Sequence, residues 1–278
     1  MQKVTDCIGN ELEIPKSINR IVSLVPSISE LIYDLNIEDK LVGVTKYCVH
    51  PKYFQIEKTV VGGVQEFDVE KIRELKPDIV FASKDENFEE EIAELSKSVP
   101  VYVTDVKNVD EARQMIENFG NLLNSRNEAS KILMKIDMQL RDLARVTDGL
   151  LLRTGGYFVW NDPWVVAGKD TFIDSMLQLI NVKNAFSNLK ERYPAVTAAN
   201  IHIANPDIII LPTEPHEFTD EDAIRIGQNC HDAATFFVDG QAFAWYGSRI
   251  VKSLDYLKLL ALKLKDMDGL GTGSSSLS

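Results

Sequence analysis

The chain of 278 residues and 31.3 kDa is about twice the length of a typical domain, which predicts two domains or one large α/β unit and excludes a small disulfide-stapled scaffold. Apolar residues make up 45% and charged residues 26%, an ordinary globular balance, while 30 Lys and Arg against 42 Asp and Glu leave a net charge of −12. That sign excludes a counterion-release grip on nucleic acid or anionic lipid and favours a neutral or cationic partner.

The opening residues Met1-Gln2-Lys3-Val4 lack the apolar run of a secretory signal, so the chain as written reads as cytoplasmic or already processed. Short apolar runs at residues 21–25, 41–44, 79–82 and 101–104 read as strands, alternating with amphipathic segments as βα units around a parallel sheet do. Directly after the first run, Ser27-Ile28-Ser29-Glu30 has the spacing of a capping box and predicts that a helix starts there. Ser125-Arg126-Asn127-Glu128 repeats that signal. Apolar residues then recur at Ala129, Ile132, Leu133, Ile136, Leu140 and Leu143, and Asp148-Gly149 supplies a stop, predicting one helix about 30 Å long. Further strands are expected at 157–160, 208–211 and 235–238. Gly168-Lys169-Asp170-Thr171 has the end of a phosphate loop, but Pro163 stands where its first glycine belongs, so Asp170 or Thr171 reads as a helix N-cap.

The two halves look alike. Leu75-Lys76-Pro77-Asp78 before one strand is echoed by Ala204-Asn205-Pro206-Asp207 before another, and later strands in both halves end at Asp105 and Asp239. The expected organisation is an N-terminal α/β lobe over 1–124, a bridging helix over 125–148, a C-terminal α/β lobe over 149–268 and a disordered tail over 269–278. Most of the acid sits early, since residues 1–124 hold 14 basic and 23 acidic side chains and residues 125–278 hold 16 and 19.

No G-x-G-x-x-G, H-E-x-x-H or G-x-S-x-G motif is present. In open parallel sheets ligands bind beyond the carboxyl ends of the strands, so the post-strand loops are where binding residues are expected. Those loops hold Pro26 and Ser27, then Lys46-Tyr47-Cys48-Val49-His50, then Asp85, Glu86 and Asn87. In the second half they hold Asn161-Asp162-Pro163-Trp164, Glu214-Pro215-His216, and Trp245, Tyr246 and Arg249. All three tryptophans, Trp160, Trp164 and Trp245, fall at or just after strand ends of the second half. Cys48 and His50 offer a thiol and an imidazole on one loop, two potential metal ligands or a buried thiol and a hydrogen-bonded ring. The three cysteines, Cys7, Cys48 and Cys230, are odd in number and widely spaced, which argues against a disulfide framework.

Arg20-Ile21-Val22-Ser23-Leu24-Val25-Pro26-Ser27, Val42-Gly43-Val44-Thr45 with Tyr47 and Pro51, Val61-Gly62-Gly63 and Leu75-Lys76-Pro77-Asp78, in this order, resemble the periplasmic binding proteins for cobalamin and ferric siderophores. The second half is similar through Gly168-Lys169-Asp170-Thr171-Phe172-Ile173 and Ser248-Arg249-Ile250, and Val49-His50-Pro51 resembles a branch described as helical-backbone metal receptors. The resemblance implies a class III fold, two Rossmann-like lobes joined by a single long helix, with no resident cofactor and no catalysis. It also implies a monomer that holds a cobalamin-like corrinoid or a ferric chelate in the inter-lobe cleft and delivers it to the permease of an ABC importer, from the periplasm or the membrane surface. Carried over by position, the ligand contacts would be Pro26, Ser27, Tyr47, Cys48, His50, Glu86, Asn87, Trp160, Pro163, Trp164, Trp245, Tyr246 and Arg249. Arg249 would meet a ligand anion or form an internal ion pair. Glu70, seven residues before Pro77, matches a surface carboxylate that docks on the permease, whereas Ala199 stands at the equivalent place before Pro206, with Glu191 nearby. The alternative is a cytoplasmic, chelatase-like enzyme handling a metal or tetrapyrrole through Cys48, His50 and Glu86.

Overall fold

A computed structural model describes residues 1–230 and 232–271. It divides the chain into two units. The first comprises Met1–Val106, Glu111–Met134 and Tyr246–Arg249, and the second Lys107–Asp110, Lys135–Trp245 and Ile250–Ser278.

The first unit opens with a hairpin of β1 (Gln2–Thr5) and β2 (Glu11–Ile14), which the sequence reading did not anticipate. Its turn is held by Asp6, whose carboxylate accepts from the Ile8 and Asn10 amides and from the Asn10 side chain. Then follow β3 (Ile21–Ser23), α1 (Pro26–Asp34), β4 (Leu41–Val44), α2 (Phe54–Glu57), β5 (Thr59–Val60), α3 (Val69–Glu74), β6 (Ile79–Ser83), α4 (Glu89–Ser96), β7 (Val101–Thr104) and α5 (Val109–Leu122). The sheet is parallel in the order β5-β4-β3-β6-β7, so the chain winds outward from β3 in one direction and then the other. The two directions part at β3, and that switch point is where the post-strand loops open. Under the sheet, Val22, Leu24, Val61, Ile72, Val80, Leu95 and Val101 form a buried cluster. Gly62 stands at φ 120 because a Cβ there would lie 2.6 Å from the Glu66 carbonyl, which explains the glycine in Val61-Gly62-Gly63.

The helix after β3 does not start as the spacing of Ser27 and Glu30 predicts. Val25 is its N-cap with no side-chain hydrogen bond, Pro26 occupies the first turn, and Ser27 lies inside the helix. Proline is suited to that position because the missing N–H is one that the helix would leave unpaired. Glu30 is spent elsewhere, as described below.

The long α6 (Arg126–Thr147) lies within a residue of its predicted span, and the boundary of the two units falls inside it, between Met134 and Lys135. At its start the Ser125 hydroxyl donates to the Leu35 carbonyl and also lies 3.4 Å from the Glu128 carboxylate. Gly149, at φ 71, follows its end.

The second unit contains β8 (Arg153–Asn161), β9 (Trp164–Val166), α7 (Phe172–Leu179), β10 (Val182–Asn184), α8 (Ala198–Ala204), β11 (Ile208–Pro212), α9 (Asp220–Gly227), β12 (Ala234–Val238), α10 (Gly240–Ala244) and α11 (Ile250–Gly271). Strands β10-β8-β11-β12 are parallel, and β9 folds back antiparallel on β8. Phe158, Phe186, Ile201, Ile209, Leu211 and Ile226 fill its core. Thr171, not Asp170, caps α7, accepting from the Asp174 amide. Helix α11 runs through Gly271, into the segment expected to be a tail from residue 269, and the rest of that segment, 272–278, lies outside the described residues.

The sequence echo has a structural counterpart. Asp78 accepts from the Asn19 and Arg20 amides at 2.7 and 2.9 Å, just before β3, and Asp207 accepts from the Thr154 amide and hydroxyl at 2.6 and 2.9 Å, in β8. In both units the aspartate that introduces a strand clamps the start of the neighbouring strand, and Lys76 and Asn205, each ahead of its proline, have positive φ.

Candidate functional site

In the first unit, the carboxyl ends of the strands bring together the loops after β3, β4, β6 and β7 and the segment Tyr246–Arg249. Tyr246 is buried, and its hydroxyl lies 3.2 Å from that of Thr104 at the end of β7. Gly247 has φ 99, and a Cβ there would sit 3.4 Å from the Ser27 carbonyl, so the chain passes close over the start of α1. Arg249 donates from Nε and Nη2 to the two oxygens of Glu30 at 2.6 and 2.8 Å, a bidentate pair with both side chains nearly buried. Of the two readings open for Arg249, the internal ion pair is the one found.

Other expected contacts are also turned inward. Cys48 is fully buried, with its Sγ 3.1 Å from the Ser29 hydroxyl and 3.5 Å from that of Thr45. Burial pushes its thiol up from the ordinary value, and the side chain has no exposed surface to offer a ligand. No cluster of three His, Cys, Asp or Glu positioned to hold a metal ion occurs among the described residues. The chelatase-like alternative thereby loses its thiol. Asn87 is a strut: its Oδ1 accepts from the Ser83 amide, and its Nδ2 donates to the Val64 carbonyl, tying the loop after β6 to the one before α3. Pro26 and Ser27 are buried in the first turn of α1. Tyr47, by contrast, is 49% exposed, with Lys46 Nζ 5.1 Å from its ring centroid, while His50 and Glu86 are half-buried.

The second unit builds a cluster at the ends of β8 and β11. Trp160 is 45% exposed and meets His216 edge-on at 5.4 Å between centroids, and His216 in turn meets Phe218 at 4.7 Å. Asn161 donates to Asp222 at 2.7 Å and accepts from Arg225, whose guanidinium lies 5.7 Å from the Trp164 ring centroid. Asp222 doubles as the third residue of the capping box that Thr219 opens at α9. Pro163 is exposed in the turn between β8 and β9. Trp245 is 8% exposed and donates its indole N–H to Glu214 at 2.7 Å, so it braces the loop after β11 rather than offering a free face. Glu214 also accepts from Gln241.

His216, Asp222, Arg225, Glu214 and Glu30 were absent from the residues assigned to the site. Thr219 and Asp222 at capping-box spacing in a post-strand loop were the legible signal for two members of this cluster, since a helix start there fixes the direction of Asp222 and Arg225. A surface cavity of about 490 Å³ in the same unit is lined by Lys169, Asp174, Gln178 and Lys183 among others, from α7 and β10 and not from these loops.

On α3, Glu70 follows the N-cap Asp68 in the first turn, is 75% exposed and pairs with Arg73. Ala199 holds the same place on α8 behind its N-cap Thr197, and Glu191 is exposed in the loop before it.

Two units, each built on a largely parallel sheet with aromatic side chains at its carboxyl edge, have the architecture of a binding protein. The model of the periplasmic binding protein family matches residues 21–229, and the chain belongs to that family. It is 30% identical over 215 residues to the ABC transporter substrate-binding lipoprotein YvrC of Bacillus subtilis, covering 74% of this chain and 68% of that protein. It is 26% identical over 214 residues to the vitamin B12-binding protein of Vibrio cholerae, covering 77% and 74%. Among solved structures, the periplasmic heme-binding protein RhuT of Roseiflexus sp. RS-1 superposes with a TM-score of 0.76 at 19% identity, over 89% of this chain and 99% of that one. At that identity the likeness shows a shared fold.

Proposed function

We propose that the protein captures a corrinoid or a comparable metal chelate and presents it to the permease of an ABC importer, acting on the outer side of the cytoplasmic membrane as a monomer. The observation that carries this reading is that each unit presents an exposed aromatic at the carboxyl edge of its sheet, Tyr47 on the loop after β4 and Trp160 at the end of β8, each braced from behind. Trp160 leans on His216 and Phe218, and the Tyr47 loop is anchored by the buried Cys48. Rigid aromatic faces are suited to a flat macrocycle or catecholate ring, because they provide contact area at little conformational cost. A relative whose name gives vitamin B12 as its ligand supports the same ligand class.

Contact with the permease runs through the first unit. Glu70 offers an exposed carboxylate, and residues 1–124 carry most of the net negative charge, whereas Ala199 offers no carboxylate at the matching place on α8. Charge complementarity of this kind speeds encounter and fixes register more than it adds affinity.

Titration of the purified protein with cyanocobalamin, hemin and a ferric siderophore, followed by tryptophan fluorescence, tests the reading. Saturable quenching by one of them is expected, and absence of quenching by all three overturns it.

A further inference from the structure

The cavity of about 490 Å³ on the second unit is lined chiefly from α7 and from β10, an edge strand, and none of its lining residues belongs to the Trp160 and His216 cluster at the ends of β8 and β11. Its volume is within the range of about 300–1,000 Å³ usual for small-molecule sites. We propose that this cavity binds a free α-amino acid, with the ammonium group at Asp174 and the carboxylate at Lys169 and Lys183.

Asp174 stands in the first turn of α7 and is 7% exposed. Its carboxylate accepts from the Gln178 side chain at 3.0 Å and from the Asn184 side chain, which leaves about half of its roughly four acceptor positions open. Among the described residues no cation comes within ion-pair distance of it. A buried carboxylate without a cation is costly. Burial pushes the Asp174 carboxyl up, the bonds from Asn184 and Gln178 pull it down, Asp170 raises it, and Lys169 has the smallest influence of these. The amides in the lining are held by backbone. Asn184 donates to the Ala167 carbonyl at 3.0 Å and accepts from the Phe186 amide at 2.9 Å, and Asn181 donates to the Leu150 carbonyl at 2.6 Å. The polar wall is therefore organised in advance, which lowers the cost of binding.

Lys169 and Lys183 are exposed, and among the described residues neither has a hydrogen-bond or ion-pair partner. One cavity thus presents a buried carboxylate and two ammonium groups that do not answer one another at contact distance. Asp170, next to Lys169 in sequence, is exposed and outside the lining. A purely anionic ligand would meet the charge of Asp174, and a purely cationic one would meet both lysines. A neutral ligand would leave both signs uncompensated. An α-amino acid answers both, since its ammonium supplies three donors to the carboxylate and its own carboxylate accepts charge-assisted bonds from the lysines.

Thermal melts of the full chain with each of the standard amino acids at about 10 mM, followed by calorimetric titration of the most stabilising one, test this. At least one amino acid is expected to raise Tm by about 2 °C or more. Its N-acetyl derivative, which lacks the ammonium, and its carboxamide, which lacks the carboxylate, should each bind at least about tenfold more weakly. Asp174→Asn should weaken binding of the parent amino acid to the same extent. Lys183→Glu, at an exposed position, tests the other end of the site and is expected to cost about tenfold even if Asp174→Asn fails to fold. Lys190→Ala removes an exposed lysine outside the lining and should leave the affinity within about twofold. Absence of stabilisation by every amino acid overturns the proposal. So does undiminished binding of either derivative or to Lys183→Glu, and so does a loss in Lys190→Ala as large as that in Lys183→Glu.

Discussion

Arg249 and Glu30, 219 residues apart in sequence, form a two-bonded ion pair inside the first unit, with Nε and Nη2 of the arginine at 2.6 and 2.8 Å from the carboxylate oxygens. Glu30 lies in α1, where every residue from Pro26 to Ile32 is buried, so the pair is shut away from solvent. Removing one partner strands the other charge, and Glu30→Gln is expected to cost about 3–5 kcal/mol. Replacing both, as Glu30→Leu with Arg249→Met, should recover most of that loss. Urea denaturation of the three proteins checks this, and a single substitution costing under about 1 kcal/mol would contradict a closed pair.

The repeated aspartates make a second prediction. Asp78→Ala frees the Asn19 and Arg20 amides, and Asp207→Ala frees the Thr154 amide and hydroxyl. Hydrogen bonds to a charged acceptor contribute about 1.5–3 kcal/mol, less at exposed sites, so each change should loosen its own sheet by about 1–2 kcal/mol. Hydrogen exchange should report the loss at β3 for the first variant and at β8 for the second. A loss at the other sheet in either variant would contradict two separately clamped units.

Cysteine reactivity separates the three thiols. Cys7 is exposed, Cys48 fully buried with its pKa raised by burial, and Cys230 intermediate. A maleimide is expected to label Cys7 first and Cys48 only after denaturation. Rapid labelling of Cys48 in the native protein, read by peptide mass spectrometry, would show that its loop is not sealed and would reopen a metal-binding role.

Much of the fold is legible in the sequence because hydrophobic period and strand punctuation are local. The runs at 41–44 and 101–104 coincide with β4 and β7, and the repeat around Pro77 and Pro206 marks equivalent places in the two sheets. The hairpin of β1 and β2, the short β5 and the edge strands β9 and β10 escape such a reading, since each is too short or too polar to show a period. The site is less legible. Ser27 and Glu30 have capping-box spacing, but Pro26 takes the first turn and Glu30 answers an arginine far away in sequence. Cys48, Asn87 and Trp245 stand in the expected loops and serve as internal braces, because position in a loop does not determine which way a side chain turns.

Asp222 supplies the pH dependence of the second cluster. Burial pushes its carboxyl up, but the Thr219 amide and hydroxyl, the Asn161 amide and the Arg225 charge outweigh this and hold it below the usual range. A carboxylate lowered in the folded state contributes stability that is complete above its unfolded value, near pH 4, and is lost as pH falls through its lower folded value. Acid below about pH 4 is therefore expected to loosen the start of α9 and release Arg225 from Asp222. Asp222→Asn should cost about 1–2 kcal/mol at pH 7 and flatten the acid limb of the stability profile. An unchanged acid limb in that variant would contradict the assignment.

The central claim is that exposed aromatic faces at the carboxyl edges hold the ligand, and the affinity of Trp160→Ala for cyanocobalamin, measured beside the unmodified protein and Met134→Ala, tests it most directly. Met134, 64% exposed against 45% for Trp160, belongs to α6 and to no post-strand loop. Loss of a stacking face is expected to weaken binding about tenfold or more, with Met134→Ala close to the unmodified protein. Equal affinity in all three proteins would contradict the account.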